Sequence, residues 1–187
     1  MPRPGEIVKV VLTYEDYCQL PNDGRRYEIL DGEIAVTPAP SPTHQEVLFN
    51  LARLVDDHVR SHGLGKVYVA PIDVILAPTS IVQPDMIYVA AERLSLISTR
   101  GIEGPPDLAV EVLSPTTSAQ DRGTKLQLYA RYGIRHCWLI DPDSQRLEAY
   151  ELAGTPYRLV AEPSGLAEFA PALFPDLRIR LDSLWPR

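Results

Sequence analysis

The sequence predicts an α/β fold, of the α+β kind, in which helices flank a mixed central β-sheet. Two features carry this prediction. An apolar strand at 107–113, a helix and a second apolar strand at 136–141 have the length of a right-handed βαβ crossover, which would make the two strands parallel. Asp31-Gly32 between two short strands is typical of an antiparallel hairpin. Parallel and antiparallel pairs together indicate a mixed sheet.

The first part of the chain is expected to contain one hairpin and two helices. Thr13 begins a short helix, and Asp16 completes a capping box with it. Apolar residues three and four positions apart predict a long helix that begins at Ser41 or Thr43 and ends at Gly63. The elements expected here are a helix at 14–20, strands at 26–30 and 33–37, and a helix from about 41 to 62.

The remainder of the chain alternates apolar strands with turns. Gly133 is suited to end the helix of the crossover as a C-cap. We expect one domain at 1–187, with a core at about 25–141 and a C-terminal β-hairpin extension at about 145–187. The expected elements are strands at 66–70, 73–77, 86–89, 107–113, 136–141, 146–152, 157–162 and 177–181, a helix or turn at 91–97 and a helix at 121–132.

Composition narrows the class of protein. The 187 residues carry 25 acidic and 18 basic side chains, and this net charge of −7 argues against nonspecific adhesion to nucleic acid or to an anionic membrane. The sequence lacks a long apolar run and an apolar segment at 1–9, so neither a membrane span nor a signal peptide is expected. Two cysteines are too few for a disulfide scaffold, which favours a reduced, cytoplasmic location.

Two carboxylates stand in apolar strands. Asp85 follows Pro84 at the start of one strand, and Glu111 interrupts another. A buried carboxylate is costly unless it is paired or holds a metal, and two on neighbouring strands could share one divalent ion. Oxygen ligands suit Mg²⁺ or Mn²⁺, which would activate water and neutralise charge on a phosphoryl group. Alternatively, Asp85 caps a turn, and Glu111 pairs with an arginine such as Arg122 or Arg131.

A third candidate is Lys125, one of three lysines in the chain. It lies on the helix that follows the strand of Glu111, and a long side chain there could reach over the strand end. It could orient the attacking water or stabilise charge on the phosphoryl group. Taken alone, it could equally be a solvated helix residue. Pro-Asp, a strand glutamate and a lysine in this order are much less expected by chance.

This order resembles the PD-(D/E)XK nuclease signature, with one departure. The usual pattern places the lysine two residues after the second acid, where this chain has Leu113, so Lys125 would be a lysine that has migrated to the helix. The wider sequence resembles the Uma family of restriction-endonuclease-like proteins over nearly the whole chain. The segments that carry this resemblance are 26–33, 41–45, 83–85, 106–115, 121–129 and 133–141.

The resemblance implies a restriction-endonuclease-like core with a metal site at one end of the sheet. Asp85 and Glu111 would be the metal ligands and Lys125 the catalytic lysine. Glu28 matches the glutamate of the family's first hairpin and could supply a further carboxylate, for a second metal or as general base. Its alternative is a salt bridge to Arg25 or Arg26.

Several further residues are weaker candidates for substrate binding. His44 and Gln45 open the long helix and could touch a phosphate, although N-terminal capping is favoured for His44. Tyr129 could contact substrate, although packing of its side chain within the protein is the favoured interpretation. Asp121 would cap the helix of Lys125 or bond to the preceding loop, and capping is preferred. The remaining candidates are Gln83, Arg26 and Arg122.

The sequence thus predicts a metal-dependent nuclease that hydrolyses phosphodiester bonds of nucleic acid, most simply DNA, as a homodimer without membrane contact. Arginines would form a local positive rim at 25, 26, 122 and 131. One alternative is a nuclease-like scaffold that binds or interacts but turns over little, which the acidic net charge favours. Another is an enzyme for a different phosphate-containing substrate.

Overall fold

The computed structural model of the chain describes residues 10–186. The segment 1–9, on which the signal-peptide expectation depends, lies outside these residues. The helices are α1 (Tyr14–Tyr17), α2 (Pro42–Ser61), α3 (Ser118–Gln120) and α4 (Leu126–Arg131), with a π-helical turn (Asp121–Lys125) between the last two and 3₁₀ turns at Ala91–Leu96 and Leu181–Ser183.

The strands occupy almost every position at which the sequence predicts one. They are β1 (Arg26–Leu30), β2 (Glu33–Thr37), β3 (Gly65–Val69), β4 (Val74–Ala77), β5 (Ser80–Val82), β6 (Met86–Ala90), β7 (Ile97–Ser98), β8 (Gly101–Glu103), β9 (Leu108–Val112), β10 (His136–Asp141), β11 (Arg146–Leu152), β12 (Tyr157–Ala161), β13 (Glu168–Phe169) and β14 (Ile179–Arg180).

The larger sheet contains the predicted crossover. Its order is β12-β11-β10-β9-β6-β3, and β9 and β10 are parallel while the other neighbours are antiparallel. The α+β class and the mixed sheet are therefore confirmed. The strands β11 and β12 continue this sheet beyond β10, and the last pair, β13 and β14, forms a separate two-stranded sheet.

A second six-stranded sheet was not predicted. Its order is β2-β1-β5-β4-β8-β7, and it places the first hairpin beside strands β4 and β5. Three of its members, β5, β7 and β8, span only two or three residues. So short a segment cannot show the alternation of apolar and polar residues by which a strand is recognised.

The larger sheet has apolar residues on both faces. On one face, the buried stripe of α2 packs with Val110, Trp138 and the C-terminal segment. On the other face, Ala109 and Leu139 pack with α4 and the second sheet. Side chains alternate along a strand, so Glu111 points to the same face as Ala109, toward α4. A carboxylate is thereby placed beneath the helix that follows its strand.

Local sequence signals explain the helix ends. Thr13 and Asp16 form the predicted capping box, although α1 ends at Tyr17 rather than at 20. The long helix begins with Ser41 as its cap. None of the helices within residues 10–186 combines the length and apolar character that a membrane span requires.

Candidate functional site

The three principal candidates meet at one cavity. Asp85 directly precedes β6, Glu111 lies in β9, and these two strands are hydrogen-bonded neighbours. Lys125 ends the π-helical turn, a rare element that occurs disproportionately at functional sites. All three residues are at least 96% buried, and they line a cavity of about 210 Å³. The topology thus brings together residues that are up to 40 positions apart in the sequence.

Asp85 has hydrogen-bond donors at both carboxylate oxygens. Arg26 Nη1 lies 3.2 Å from Oδ1, while His44 Nε2 and the backbone N–H of Val112 lie 3.0 and 2.9 Å from Oδ2. Burial alone would raise the pKa of Asp85. The hydrogen bond from His44 and the charge of Arg26 outweigh burial and hold this pKa below its usual value. Asp85 is therefore kept ionised, and it does not cap a turn.

Lys125 is surrounded by carboxylates. Its Nζ lies 3.1 Å from Glu28 Oε2, 3.2 Å from Glu111 Oε1 and 3.7 Å from Asp121 Oδ1. Burial alone would lower the pKa of Lys125, but these carboxylates outweigh it and raise the pKa above its usual value. The lysine is therefore a permanent cation, and the solvated alternative is wrong.

Glu111 is held by Lys125 and by one hydroxyl. Tyr129 donates a hydrogen bond of 2.5 Å to Oε1, the same oxygen that Lys125 contacts. Burial raises the pKa of Glu111, and the opposing effect of Lys125 is smaller. The pKa values of the two strand carboxylates are thus shifted in opposite directions, a pattern that is common where titratable groups carry out chemistry.

Glu28 is fixed from the second sheet. Its Oε1 accepts 2.7 Å from the backbone N–H of Gln83, and its Oε2 lies against Lys125. The alternative of a salt bridge to Arg25 or Arg26 is wrong, because Arg25 pairs with Asp23 and Arg26 contacts Asp85. Glu28 is completely buried, so it supports the lysine from beneath the cavity.

His44 is a buried side chain and does not cap its helix. The cap is Ser41, whose Oγ accepts from the backbone N–H of His44 at 3.2 Å. The imidazole contacts Asp85 through Nε2, and its buried Nδ1 has no hydrogen-bond partner among the described residues. The favoured interpretation of His44 as a cap is therefore corrected, and the residue joins the cavity wall.

Asp121 belongs to the same cluster, although capping was preferred for it. It lies inside the helical segment, 97% buried, and its Oδ1 lies 3.7 Å from Lys125 Nζ. Burial raises its pKa. A signal for its role was present in the sequence, because Asp121 and Lys125 are four residues apart and such residues share a helix face.

Three weaker candidates do not reach the cavity. Gln45 is exposed and lines a different cleft, because adjacent helix residues point about 100° apart and His44 already faces inward. Gln83 directs its side chain to Tyr17 and Asp73, so only its backbone supports the site. Arg122 is bound by Glu148. These three predictions are corrected, and so is substrate contact by Tyr129, which is completely buried and bonds to Glu111.

The expected rim of free arginines is also absent among residues 10–186. Arg25 pairs with Asp23, Arg131 with Asp31, and Arg122 with both Glu148 and Asp141. The same pairs show that neither Arg122 nor Arg131 balances Glu111. Of the predicted rim, Arg26 alone lines the cavity, and Asp85 engages it.

The charges of the cluster do not balance. Four buried carboxylates, at 28, 85, 111 and 121, face two buried or half-buried cations, Arg26 and Lys125. With all four carboxylates ionised and His44 neutral, two negative charges would remain in excess, which a single divalent cation would offset. Within residues 10–186, no group of three or more carboxylate, histidine or cysteine side chains is placed so that it could hold a metal ion. Mg²⁺ does not require one, because it commonly uses one or two carboxylates and retains its waters.

Comparisons with known proteins agree with this architecture. The chain is 26% identical to an uncharacterised protein of Synechocystis over 158 residues, which cover 83% of this chain and 89% of that protein. The structure resembles the crystal structure of a protein described as a putative nuclease of DUF820 from Anabaena variabilis. The TM-score is 0.76 at 20% identity, and the match covers 92% of this chain and 97% of the other.

The family model that matches residues 14–182 is Uma2, described as "putative restriction endonuclease". This match includes both sheets, the long helix α2 and every side chain of the cavity cluster. The family resemblance that the sequence motifs indicated is thereby confirmed. The chain belongs to the Uma2 family and has a nuclease-like fold.

Proposed function

We propose that this protein is a metal-dependent nuclease that hydrolyses phosphodiester bonds of nucleic acid, DNA in the first instance. The observation that carries the proposal is the cavity cluster, in which Asp85, Glu111 and Lys125 are buried side by side with an excess of negative charge. Buried charges of one sign are costly to retain unless a ligand offsets them. Membership of the Uma2 family supports the same reaction class.

Asp85 and Glu111 would hold the metal ion, Mg²⁺ or Mn²⁺. Both are hard oxygen donors, which these ions prefer. Lys125 and Tyr129 both contact Oε1 of Glu111, so Oε2 is the oxygen that a cation would take. When bound, the ion would supply a Lewis acid for the phosphoryl oxygens and lower the pKa of water.

The chain's own residues would orient and stabilise the reacting group. In the hydrolysis, a water oxygen forms a bond to phosphorus and the bond from phosphorus to one ester oxygen breaks. The water loses a proton and the departing oxygen gains one. Lys125, protonated and fixed by Glu28 and Asp121, would stabilise the negative charge that develops on the phosphoryl oxygens.

Metal-dependent cleavage assays test the proposal. Linear single-stranded DNA, plasmid DNA and RNA would be incubated with Mg²⁺ or Mn²⁺ and the wild type, Asp85→Asn or Lys125→Met. Matched controls are Asp143→Asn and Lys66→Met, which make the same changes at exposed positions. We expect cleavage by the wild type and both controls, with at least a 100-fold loss in the two site variants, the order of effect seen when a single charge-stabilising group is removed.

The outcomes separate the competing functions. Cleavage that survives in both site variants would place the reaction elsewhere or in a contaminant. Absence of cleavage on every substrate would contradict the nuclease and favour the nuclease-like scaffold. Neither the paired surface arginines nor the net charge of −7 excludes a binding role for such a scaffold.

A further inference from the structure

Resting on the proposed nuclease function, we infer that the site accepts single-stranded nucleic acid and excludes an intact duplex. The inference concerns the class of substrate and follows from three properties of the cavity: its depth, its walls and its charge. An enzyme with these properties hydrolyses single-stranded nucleic acid. It does not cut within double-stranded DNA.

The reactive groups lie at the bottom of a small cavity. Asp85, Glu111 and Lys125 each expose 4% or less of their surface, so a phosphate must enter the cavity to meet them. The volume of about 210 Å³ is below the roughly 300–1,000 Å³ of pockets that enclose a small-molecule ligand. A duplex is a stiff rod with a persistence length of about 150 base pairs, so bending one of its phosphates into such a space has a deformation cost that extra contacts would have to offset. A flexible single strand can.

Two proline-containing loops form the walls. One joins β2 to α2 and contributes Pro38 and Pro40, and the other follows β9 and contributes Pro115. Proline restricts the backbone, which favours a mouth of fixed width over one that opens widely. The polar groups of these walls are hydroxyls, and that of Ser114 already bonds to Thr117. Hydroxyl groups can form hydrogen bonds with the phosphates or bases of a strand even where only a few phosphates reach the cavity.

The charge around the cavity is unsuited to a duplex. Within the described residues, the cations that line the cavity are Arg26 and Lys125, and both are engaged by carboxylates. Proteins that bind duplex DNA neutralise several phosphates with lysine or arginine. A substrate that presents only one or two phosphates to this cavity avoids that requirement.

The charge argument also sets an expected salt dependence. For a single strand, the binding constant falls with a slope of about −0.7 per neutralised phosphate on logarithmic axes. With one or two phosphates, KM should rise only about 3- to 7-fold between 50 and 200 mM salt. A surface that contacts six to ten phosphates of a duplex would instead lose about 10³–10⁵-fold in affinity over the same interval.

The test compares single-stranded, duplex and small phosphodiester substrates. The wild type with Mn²⁺ would be given four substrates: a linear single strand labelled at its 5′ or 3′ terminus, the same strand circularised, a blunt duplex of the same sequence, and bis(p-nitrophenyl) phosphate as a small phosphodiester. Asp85→Asn serves as the inactive reference. Single-turnover rates and KM at 50 and 200 mM salt would be measured for each.

We expect hydrolysis of the linear and the circular single strand, with the duplex at least 100-fold slower and the small diester also hydrolysed. Cutting of the duplex at a rate similar to that of the single strands would overturn the inference while leaving the nuclease intact. A salt effect on KM above about 100-fold would overturn it as well. Hydrolysis of the small diester alone would refute this substrate class. If no substrate is cleaved, the proposed function itself fails, and the inference fails with it.

Discussion

The cavity cluster consists of two halves in which the pKa of a buried carboxyl group is shifted in opposite directions. In the Asp85 half, formed by Asp85, Arg26 and His44, hydrogen bonds and a cation reach both carboxylate oxygens and lower the pKa. In the Lys125 half, formed by Lys125 with Glu111, Glu28, Asp121 and Tyr129, one cation is shared by three carboxylates, and burial raises the pKa of Glu111.

The difference shows which half depends on a further charge. The Asp85 half keeps its carboxylate ionised and fixed through its own neighbours, so that this carboxylate would be a preformed ligand for a cation. The Lys125 half holds three carboxylates against one ammonium group, so its stability depends on that ammonium and on whatever cation joins it. Removing a group should therefore have unequal effects in the two halves.

Lys125→Met should have the largest effect on stability. It leaves three buried carboxylates without their cation, and breaking a buried ion pair costs about 3–5 kcal/mol. We expect this loss in the free energy of urea unfolding at pH 7. This loss of unfolding free energy should become smaller toward pH 4, because protonated carboxyl groups are neutral and no longer need a cation beside them.

Lys66→Met is the control for that loss, since it removes a lysine from an exposed position on β3. Its free energy of unfolding should change by less than about 0.5 kcal/mol. An equal loss of unfolding free energy in both variants, independent of pH, would show that the cluster does not constrain Lys125.

Asp85→Asn should cost about 2 kcal/mol, because the hydrogen bonds from Arg26, His44 and Val112 lose their charged acceptor. The folded pKa of Asp85 lies below its usual value of 3.8, so the stability that ionisation contributes is complete above that value and is lost as the pH falls through the folded pKa. Unfolding free energies of the wild type and the variant at pH 7 and pH 3 check this, and a difference that is unchanged at pH 3 would contradict it.

Tyr129→Phe tests the hydroxyl that holds Glu111. The ring is completely buried and would stay in place, so the variant removes one hydrogen bond and should cost about 1–2 kcal/mol. Burial and Glu111 raise the pKa of Tyr129, so the hydroxyl remains a donor and the cost should be constant from pH 6 to pH 9. Tyr27→Phe, at a half-exposed ring whose hydroxyl bonds to Asp23 on the surface, is the comparison.

Glu111→Gln should have the smallest effect, and of the opposite sign. A carboxyl whose folded pKa is raised binds its proton more tightly when folded, so ionisation above the usual value of 4.5 destabilises the fold as pH rises. The variant should therefore be more stable than the wild type at pH 8 without divalent metal. Chelator-treated samples scanned from pH 4 to pH 8 measure this, and a variant less stable at pH 8 would refute it.

Much of the fold and the principal site residues could be predicted from sequence. The hairpin at Asp31-Gly32, the stripe of α2 and the parallel pair β9–β10 follow from turn chemistry and periodicity, which are local. Asp85 and Glu111 stood out because a charged residue in an apolar strand needs a partner. Their chemical roles stay predictions that the cleavage assays address.

What sequence could not supply were contacts between distant elements. The second sheet pairs β1 with β5, about 50 residues away, and that pairing places Glu28 beneath Lys125. The partners of the arginines depend on the same long-range packing. The sequence therefore predicts a positive rim, whereas in the structure these arginines form ion pairs with carboxylates. For Gln45, the error was one of helix phase: one residue beyond His44 points to another surface.

Binding of Mg²⁺ tests the central claim most directly, because it needs no knowledge of the substrate. Thermal unfolding would be followed with increasing MgCl₂ for the wild type, Asp85→Asn and the surface control Asp143→Asn. We predict that the wild type and the control gain stability as a single site saturates, by about 2.7 kcal/mol at 100 times the Kd, while Asp85→Asn gains much less. Equal stabilisation of all three proteins, or none of the wild type, would contradict a metal centre between Asp85 and Glu111.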